Sequence, residues 1–110
     1  MLRLNAFIFL IVFSFPAVAE EVWFTSTITK VYPHGDGRFV VTFDDDSSAC
    51  INGNDPKHHW VVLGENGVTQ QGLKLMFSAA LAGAAAGKEV TINFDDSTNW
   101  CYISRLFVRY

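Results

Sequence analysis

The sequence has 110 residues and a formal net charge of −3 with its histidines neutral, which allows one small, mildly acidic domain. Its eight lysines and arginines form no basic run. Phosphate-backbone binding requires a basic surface, so nucleic acid is not an expected partner. Six of the ten phenylalanines and all three tryptophans lie after residue 19 and can supply apolar surface for a core.

The first nineteen residues have the three-part pattern of a secretory signal peptide. The basic start MLRLN precedes an apolar run of ten residues, AFIFLIVFSF, and residues 17–19 form an Ala-Val-Ala cleavage signature. A membrane anchor is the alternative, but a spanning helix needs about 20 apolar residues. We therefore expect residues 1–19 to be removed and residues 20–110 to form one exported domain, periplasmic or extracellular, that is not attached to a membrane.

Two strands and a tight turn are predicted at the start of the exported domain. Residues 22–32, VWFTSTITKVY, are rich in β-branched and aromatic side chains, which favours a long strand. The glycines of residues 33–37, PHGDG, favour a turn. Residues 38–43, RFVVTF, place three apolar side chains on one face, so the pair should form a β-hairpin.

A further strand and a loop are predicted between this hairpin and the helix. Residues 44–48, DDDSS, are typical of a turn, and residues 48–51 should form a short third strand that carries Cys50. Residues 52–57, NGNDPK, have the composition of a loop. The apolar residues 58–63, HHWVVL, indicate a continuation of the third strand or an edge strand.

One α-helix is predicted over residues 69–86. Apolar residues recur there with the helical period and form one face, consisting of Leu73, Phe77, Ala80, Leu81 and Ala84. Thr69 can cap the start of the helix, and Gly87 stands where a glycine commonly ends one. The many small residues of this segment would let the helix lie close to a sheet.

Two strands complete the domain, at residues 89–94, EVTINF, and residues 100–110, WCYISRLFVRY. The order β-β-β-α-β-β, with the helix after the third strand, predicts an OB-fold, which is a five-stranded and partly open barrel. A plain α+β sheet crossed by the helix is the alternative. We favour the barrel because closure removes exposed sheet edges.

Two similar phrases, TFDDDSSACI and NFDDSTNWCYI, contain the only two cysteines, and each cysteine follows a phenylalanine by seven residues. In an exported domain, Cys50 and Cys101 are expected to form a disulfide, with two free thiols as the alternative. Such a bridge encloses about 50 residues and would contribute about 4 kcal/mol in the chain-entropy description. The repeated phrases are therefore interpreted as two similar turns rather than two acidic sites.

Four segments carry a resemblance to a known family: WFTSTITKVY as the first strand, ACI with its cysteine, HHW, and LKLMFSAALAGAAAGKEVTI as a helix that leads into a strand. Together they resemble the B subunits of AB5-type toxins, above all the subtilase-cytotoxin and typhoid-toxin group. The resemblance implies a secreted OB-fold domain with a disulfide that forms a pentamer and binds glycans. That group surrounds its sugar with a first-strand hydroxyl, which Thr25 matches by spacing, and with aromatic residues near the helix end. Residues 82–86, AGAAA, contain no aromatic residue.

Trp23, Trp60 and Trp100 are the other candidate ligand-binding residues. Exposed tryptophans on a small domain indicate an interface or a stacking platform for a sugar. The alternative is that each tryptophan fills an end of the barrel. Trp100 should point away from the disulfide, because neighbouring residues of a strand point to opposite faces.

No metal site is expected. Residues 44–55 partly match the ligand spacing of a calcium loop, but Ala49 stands where the loop needs glycine, and Cys50 is expected in the disulfide. His58 and His59 are adjacent and should point to opposite faces, so a zinc site with His34 is not expected either.

No catalytic residues are predicted. The chain has no nucleophile elbow of the form G-x-S-x-G, and its paired carboxylates lie in predicted turns. The sequence therefore favours a non-catalytic binding module without a cofactor, which recognises a glycan or a protein and can form a homo-oligomer. A protein-interaction or inhibitor protein without glycan binding is the alternative, and a small hydrolase is a third hypothesis.

Overall fold

The computed structural model describes residues 21–110, so the predicted signal peptide, residues 1–19, lies outside the described residues. Five strands and one helix follow in the predicted order: β1 (Glu21–Pro33), β2 (Phe39–Phe43), β3 (His59–Val61), α1 (Gln70–Ala85), β4 (Glu89–Asp95) and β5 (Ile103–Val108). Between residues 21 and 110, no helix has the length and hydropathy to cross a membrane.

The first strand organises the sheet because it pairs with two different neighbours. Residues 21–27 pair antiparallel with β4, and residues 28–33 pair antiparallel with β2. The register shifts between Ile28 and Lys30, where an irregularity lets the strand pass from one partner to the other. Because β3 adds to β2 and β5 adds to β4, the strand order is β3-β2-β1-β4-β5.

This strand order, with the helix between β3 and β4, confirms the OB-like fold, but the sheet is not closed into a barrel. β3 and β5 are its two edges and do not pair in the ladder. Near the opening between β3 and β5, the Trp60 N–H donates a hydrogen bond to the Trp100 carbonyl at 3.3 Å. Closure fails because β3 has only three residues and offers too few backbone groups for another ladder.

One part of the third-strand prediction is wrong and another is confirmed. Residues 48–51 are not a strand. The edge strand indicated for residues 58–63 is present, because His59–Val61 pairs with β2 at one edge of the sheet. Side chains rather than a ladder hold the segment around Cys50. The Lys57 ammonium donates to the Ser47 carbonyl at 3.2 Å and also to the Cys50 carbonyl. These charge-assisted bonds satisfy backbone acceptors that a strand partner would otherwise need to satisfy.

The helix begins and ends where the sequence predicts. The Thr69 hydroxyl accepts a hydrogen bond from the Gly72 N–H at 3.0 Å, and Gly87 follows the helix with a φ of 64°. Ala80 is fully buried against the sheet. Leu81, expected on the buried face, is 46% exposed, because it lies at the margin of the narrow apolar face.

The core fills the space between α1 and the inner face of the sheet. Its fully buried side chains from β2, β4 and β5 are Phe39, Val41, Phe43, Val90, Ile92, Phe94 and Ile103. Gly83 allows the helix to approach closely, since a Cβ atom there would lie 2.8 Å from Val90 Cγ2 and 3.1 Å from Val108 Cγ2. The small residues of the helix therefore serve close packing.

Cys50 and Cys101 form the predicted disulfide, with their Cα atoms 5.7 Å apart and both side chains fully buried. Neither cysteine lies on a strand, although the sequence pattern predicts strands at both positions. Cys101 has a φ of 48°, which interrupts extended structure, so β5 begins at Ile103 and not at Trp100. The bridge joins the loop before β3 to the loop before β5.

Candidate functional site

Trp60 and Trp100, two of the predicted ligand-binding residues, lie side by side. Their ring centroids are 5.3 Å apart and the ring planes make an angle of 67°. The backbone hydrogen bond between these two residues, at 3.3 Å, sets this arrangement. Trp100 is 40% exposed and Trp60, on β3, is half-buried, so both rings border solvent.

The two rings belong to a groove of about 450 Å³ between the loop before β3 and the loop before β5. We call it the tryptophan groove. Its lining combines two aromatic rings, three amides and an imidazole, from Asn52, Asn54, His58, Trp60, Asn99 and Trp100. The groove therefore offers apolar ring surface together with neutral hydrogen-bonding groups.

Asn52 builds one wall of the groove. Its side-chain N–H donates to the His58 carbonyl at 2.7 Å and lies 3.1 Å from the Cys50 sulfur. Its oxygen accepts from the backbone and side-chain N–H groups of Asn54, at 3.2 and 3.1 Å, and from the His58 N–H at 3.3 Å. Asn52 thus holds the loop in shape, and the disulfide below it ties this wall to the opposite one.

Other groups in the groove are available to a ligand. Within residues 21–110, the Asn99 side-chain amide makes no hydrogen bond. The Asn54 side chain donates from its nitrogen to Asn52, and its oxygen accepts no hydrogen bond there. Burial lowers the pKa of His58, and electrostatic interactions with Lys30 and His34 lower it further. His58 therefore presents a neutral imidazole at neutral pH, which can donate one hydrogen bond and accept another.

A cation covers one side of Trp60. The guanidinium carbon of Arg38 lies 5.1 Å from the centre of the Trp60 ring. The Arg38 Nε atom is 3.1 Å from an Asp36 carboxylate oxygen, which compensates its charge. Arg38 therefore orients the Trp60 ring and leaves this side of the groove close to neutral.

Trp23 and Thr25 lie on a different surface, formed by the outer faces of β1, β4 and β5. Trp23 is 56% exposed, its ring centroid is 6.4 Å from that of Phe107, and the Arg105 guanidinium lies 5.8 Å from its centre. The Thr25 hydroxyl is 2.8 Å from the Thr91 hydroxyl, to which it is hydrogen-bonded. The four predicted residues therefore divide into two separate pairs.

His59 points away from the groove into the core, whereas its neighbour His58 lines the groove. The His59 ring centroid lies 4.8 Å from that of Phe94 and 5.4 Å from that of Phe43, in edge-to-face contacts. Its Nδ1 atom is buried without a hydrogen-bond partner in the described chain. Burial in this apolar setting lowers the pKa of His59 to about 4.

Among the described residues, three potential metal ligands converge at Cys50, His59 and Cys101, with ligand atoms within 4.8 Å of one another. Both sulfurs belong to the disulfide, so they are not the thiolates that a zinc site requires. In the acidic loop, Asp46 accepts a hydrogen bond from the Lys57 N–H at 3.0 Å and so stabilises the loop.

The sequence does not single out the amide and histidine lining of the groove. The three asparagines belong to stretches with ordinary loop composition, and no motif connects residues 52–58 with residues 99–100. The disulfide pairing was the one available signal, because it brings the flanks of Cys50 and Cys101 together.

No protein-family model and no curated protein matches the sequence of this chain. By structure, the chain is similar to the B subunit of human heat-labile enterotoxin from E. coli, carrying a peptide with anti-HSV activity, with a TM-score of 0.60. The fold is toxin B-subunit-like. The similarity covers 82% of each chain at 10% sequence identity, which establishes the fold alone. The finer resemblance to the subtilase-cytotoxin and typhoid-toxin group stays a prediction.

Proposed function

We propose that this domain is a non-catalytic binding module and that the tryptophan groove binds a carbohydrate. The observation that carries this proposal is the pair of partly exposed rings, Trp60 and Trp100, 5.3 Å apart and bordered by amides. Ligand sites commonly combine apolar or aromatic walls with a few placed polar groups. Here both kinds of group occur on β3 and on two neighbouring loops that a disulfide holds together.

The chemistry of the lining favours a sugar. The C–H faces of a pyranose can lie on the electron-rich faces of aromatic rings. Sugar hydroxyls both donate and accept hydrogen bonds, and the Asn99 amide and the neutral His58 imidazole can do the same. A charged ligand has less to recognise, because Arg38 is already paired with Asp36.

The non-catalytic part of the proposal is supported by the toxin B-subunit-like fold. Within residues 21–110, no hydrogen bond joins a serine hydroxyl to a histidine. The buried histidine, His59, lies among phenylalanines in the core and does not line the tryptophan groove.

Glycan binding is tested by screening the exported domain against a glycan array and measuring the affinity of each hit by calorimetry. Trp60→Ala and Trp100→Ala should each weaken binding at least tenfold, which corresponds to about 1.4 kcal/mol. Tyr110→Ala removes an aromatic ring that is 91% exposed and should leave the affinity unchanged. The proposal fails if no glycan binds, or if Trp23→Ala weakens binding while the two groove variants do not.

Export to the periplasm or the cell exterior, and assembly into a homo-oligomer of the pentameric kind, are also proposed. The disulfide supports export, and the toxin B-subunit-like fold supports both export and assembly. Mass spectrometry of the exported protein should find a chain that starts at Glu20, and light scattering should find a pentamer. Retention of Met1 would contradict the export proposal, and a monomer at micromolar concentration would contradict the assembly.

Protein binding through the outer surface around Trp23 is a second candidate function. Trp23 and Phe107 are 56% and 46% exposed and lie beside Arg105, and these residue types are enriched at protein interfaces. A stoichiometric protein partner that co-purifies with the wild type and is lost with Trp23→Ala, but not with Trp60→Ala, would support it. Co-purification that survives Trp23→Ala would exclude this surface.

A further inference from the structure

Trp60 and Trp100 are the middle of a longer series of rings, which we call the aromatic strip. Its members in order are Tyr32, His34, Trp60, Trp100 and Tyr102. Their successive ring centroids are 4.5, 5.0, 5.3 and 5.8 Å apart. The last two rings are parallel within 1°. The strip therefore continues beyond both ends of the tryptophan groove.

The sheet register explains why the strip is extended and not a compact cluster. Tyr32 on β1 pairs with Val40 on β2, and Val40 pairs with Trp60 on β3, so the three side chains form a row across the strands. Adjacent strands are about 4.8 Å apart, and the strand of Val40 lies between those of Tyr32 and Trp60. The His34 ring fills the space between the Tyr32 and Trp60 rings. The hydrogen bond from Trp60 to Trp100 continues the row into the loop before β5.

Burial shows that the strip lies on the outer side of the sheet. Val40 is fully buried but does not belong to the main core, because its side chain points to the face opposite Phe39 and Val41. The rings of the strip cover Val40 on one side and border solvent on the other. Tyr32 and Trp100 remain 47% and 40% exposed.

We propose that the aromatic strip binds a linear oligosaccharide of at least three sugar units, lying across the strands, rather than a single terminal sugar. This inference rests on the proposed function, since it assigns the ligand of the same site. The steps between ring centroids are comparable to the length of one pyranose unit in a chain. A single sugar on Trp60 and Trp100 would leave the outer rings Tyr32 and Tyr102 without a contact.

The test is a length series. The exported domain is titrated by calorimetry with four series of linear sugars, each from one to six units long. Three series are β-1,4-linked and consist of N-acetylglucosamine, glucose or xylose, and the fourth is α-1,4-linked glucose. In the series that binds, the dissociation constant should fall at least tenfold between one unit and three or more. Tyr32→Ala should weaken binding of the longest oligomer at least fivefold. The same variant should bind the single sugar with unchanged affinity.

Conservative and remote variants keep this test interpretable. Tyr32→Phe retains the ring and should retain the long-chain affinity, and Tyr110→Ala should behave as the wild type at every length. Binding that depends on Trp60 but does not rise with chain length would overturn the linear-chain inference and leave the proposed function standing. Absence of binding to every sugar in these series and on the array would overturn both.

Discussion

The buried imidazole of His59 should make the stability of this domain depend on pH. Its ring lies among Phe24, Phe43 and Phe94, and its Nδ1 atom has no partner in the described chain. Burial is the main reason why its pKa falls from 6.5 to about 4, and it outweighs the opposing charge of Asp46. The folded state therefore keeps His59 neutral where the unfolded chain would be protonated.

The sign and size of the effect follow from this difference in pKa. Because the unfolded state binds the proton more tightly, the stability from His59 is fully present above pH 6.5 and is lost as the pH falls towards 4. The shift corresponds to about 3 kcal/mol over the whole window, of which about 2 kcal/mol is lost by pH 5. A domain of this kind has a total stability of about 5–15 kcal/mol, so the loss is measurable.

The assay is urea unfolding at pH 7.5, 6.5, 5.5 and 5.0, with the free energy of unfolding compared between the wild type and His59→Gln. The variant cannot titrate at this position, so its stability should fall by about 2 kcal/mol less than that of the wild type over this range. His58→Gln is the matched control and should retain most of the wild-type slope. Equal slopes for the wild type and His59→Gln would refute the reasoning.

Three further predictions concern the framework. Replacing Cys50 and Cys101 together by serine should lower the free energy of unfolding by about 4 kcal/mol, measured in urea, and a loss below about 1 kcal/mol would contradict the entropic account. Gly83→Ala should destabilise the domain by about 1–2 kcal/mol in thermal unfolding, because the new Cβ atom would lie 2.8 Å from Val90 Cγ2. A variant more stable than the wild type would show that the helix can move away from the sheet without cost. Thr69→Ala should cost about 1 kcal/mol by loss of the helix cap, and an unchanged melting temperature would exclude that role.

Most strands and the helix could be predicted because their signals are local. β-branched alternation located β1, and the residues Thr69 and Gly87 marked the ends of α1. The edge strand indicated for residues 58–63 is present as β3, but the strand predicted at residues 48–51 is wrong. The segment around Cys50 has strand-like residues, but bonds from the distant Lys57 side chain determine its shape. Such bonds leave no periodic pattern in a sequence.

The candidate site could be predicted only in part. Because Trp23, Trp60 and Trp100 are residues of the same type, the sequence grouped them together. The strand register separates them, since Trp23 on β1 lies opposite Asn93 and Trp60 on β3 lies opposite Val40. Register depends on pairings between remote residues, so composition could not separate the two surfaces. The sequence also does not indicate that three of the four loop asparagines in residues 21–110 meet at one groove, because their positions depend on which loops the disulfide joins.

The central claim, that a carbohydrate binds at the tryptophan groove, is tested most directly by NMR. The chain has three tryptophans, so a nitrogen–proton correlation spectrum of the described domain has three indole signals. Saturation with the best glycan from the array should shift the indole signals of Trp60 and Trp100 and leave that of Trp23 in place. A shift confined to Trp23, or no indole shift at saturation, would contradict the account.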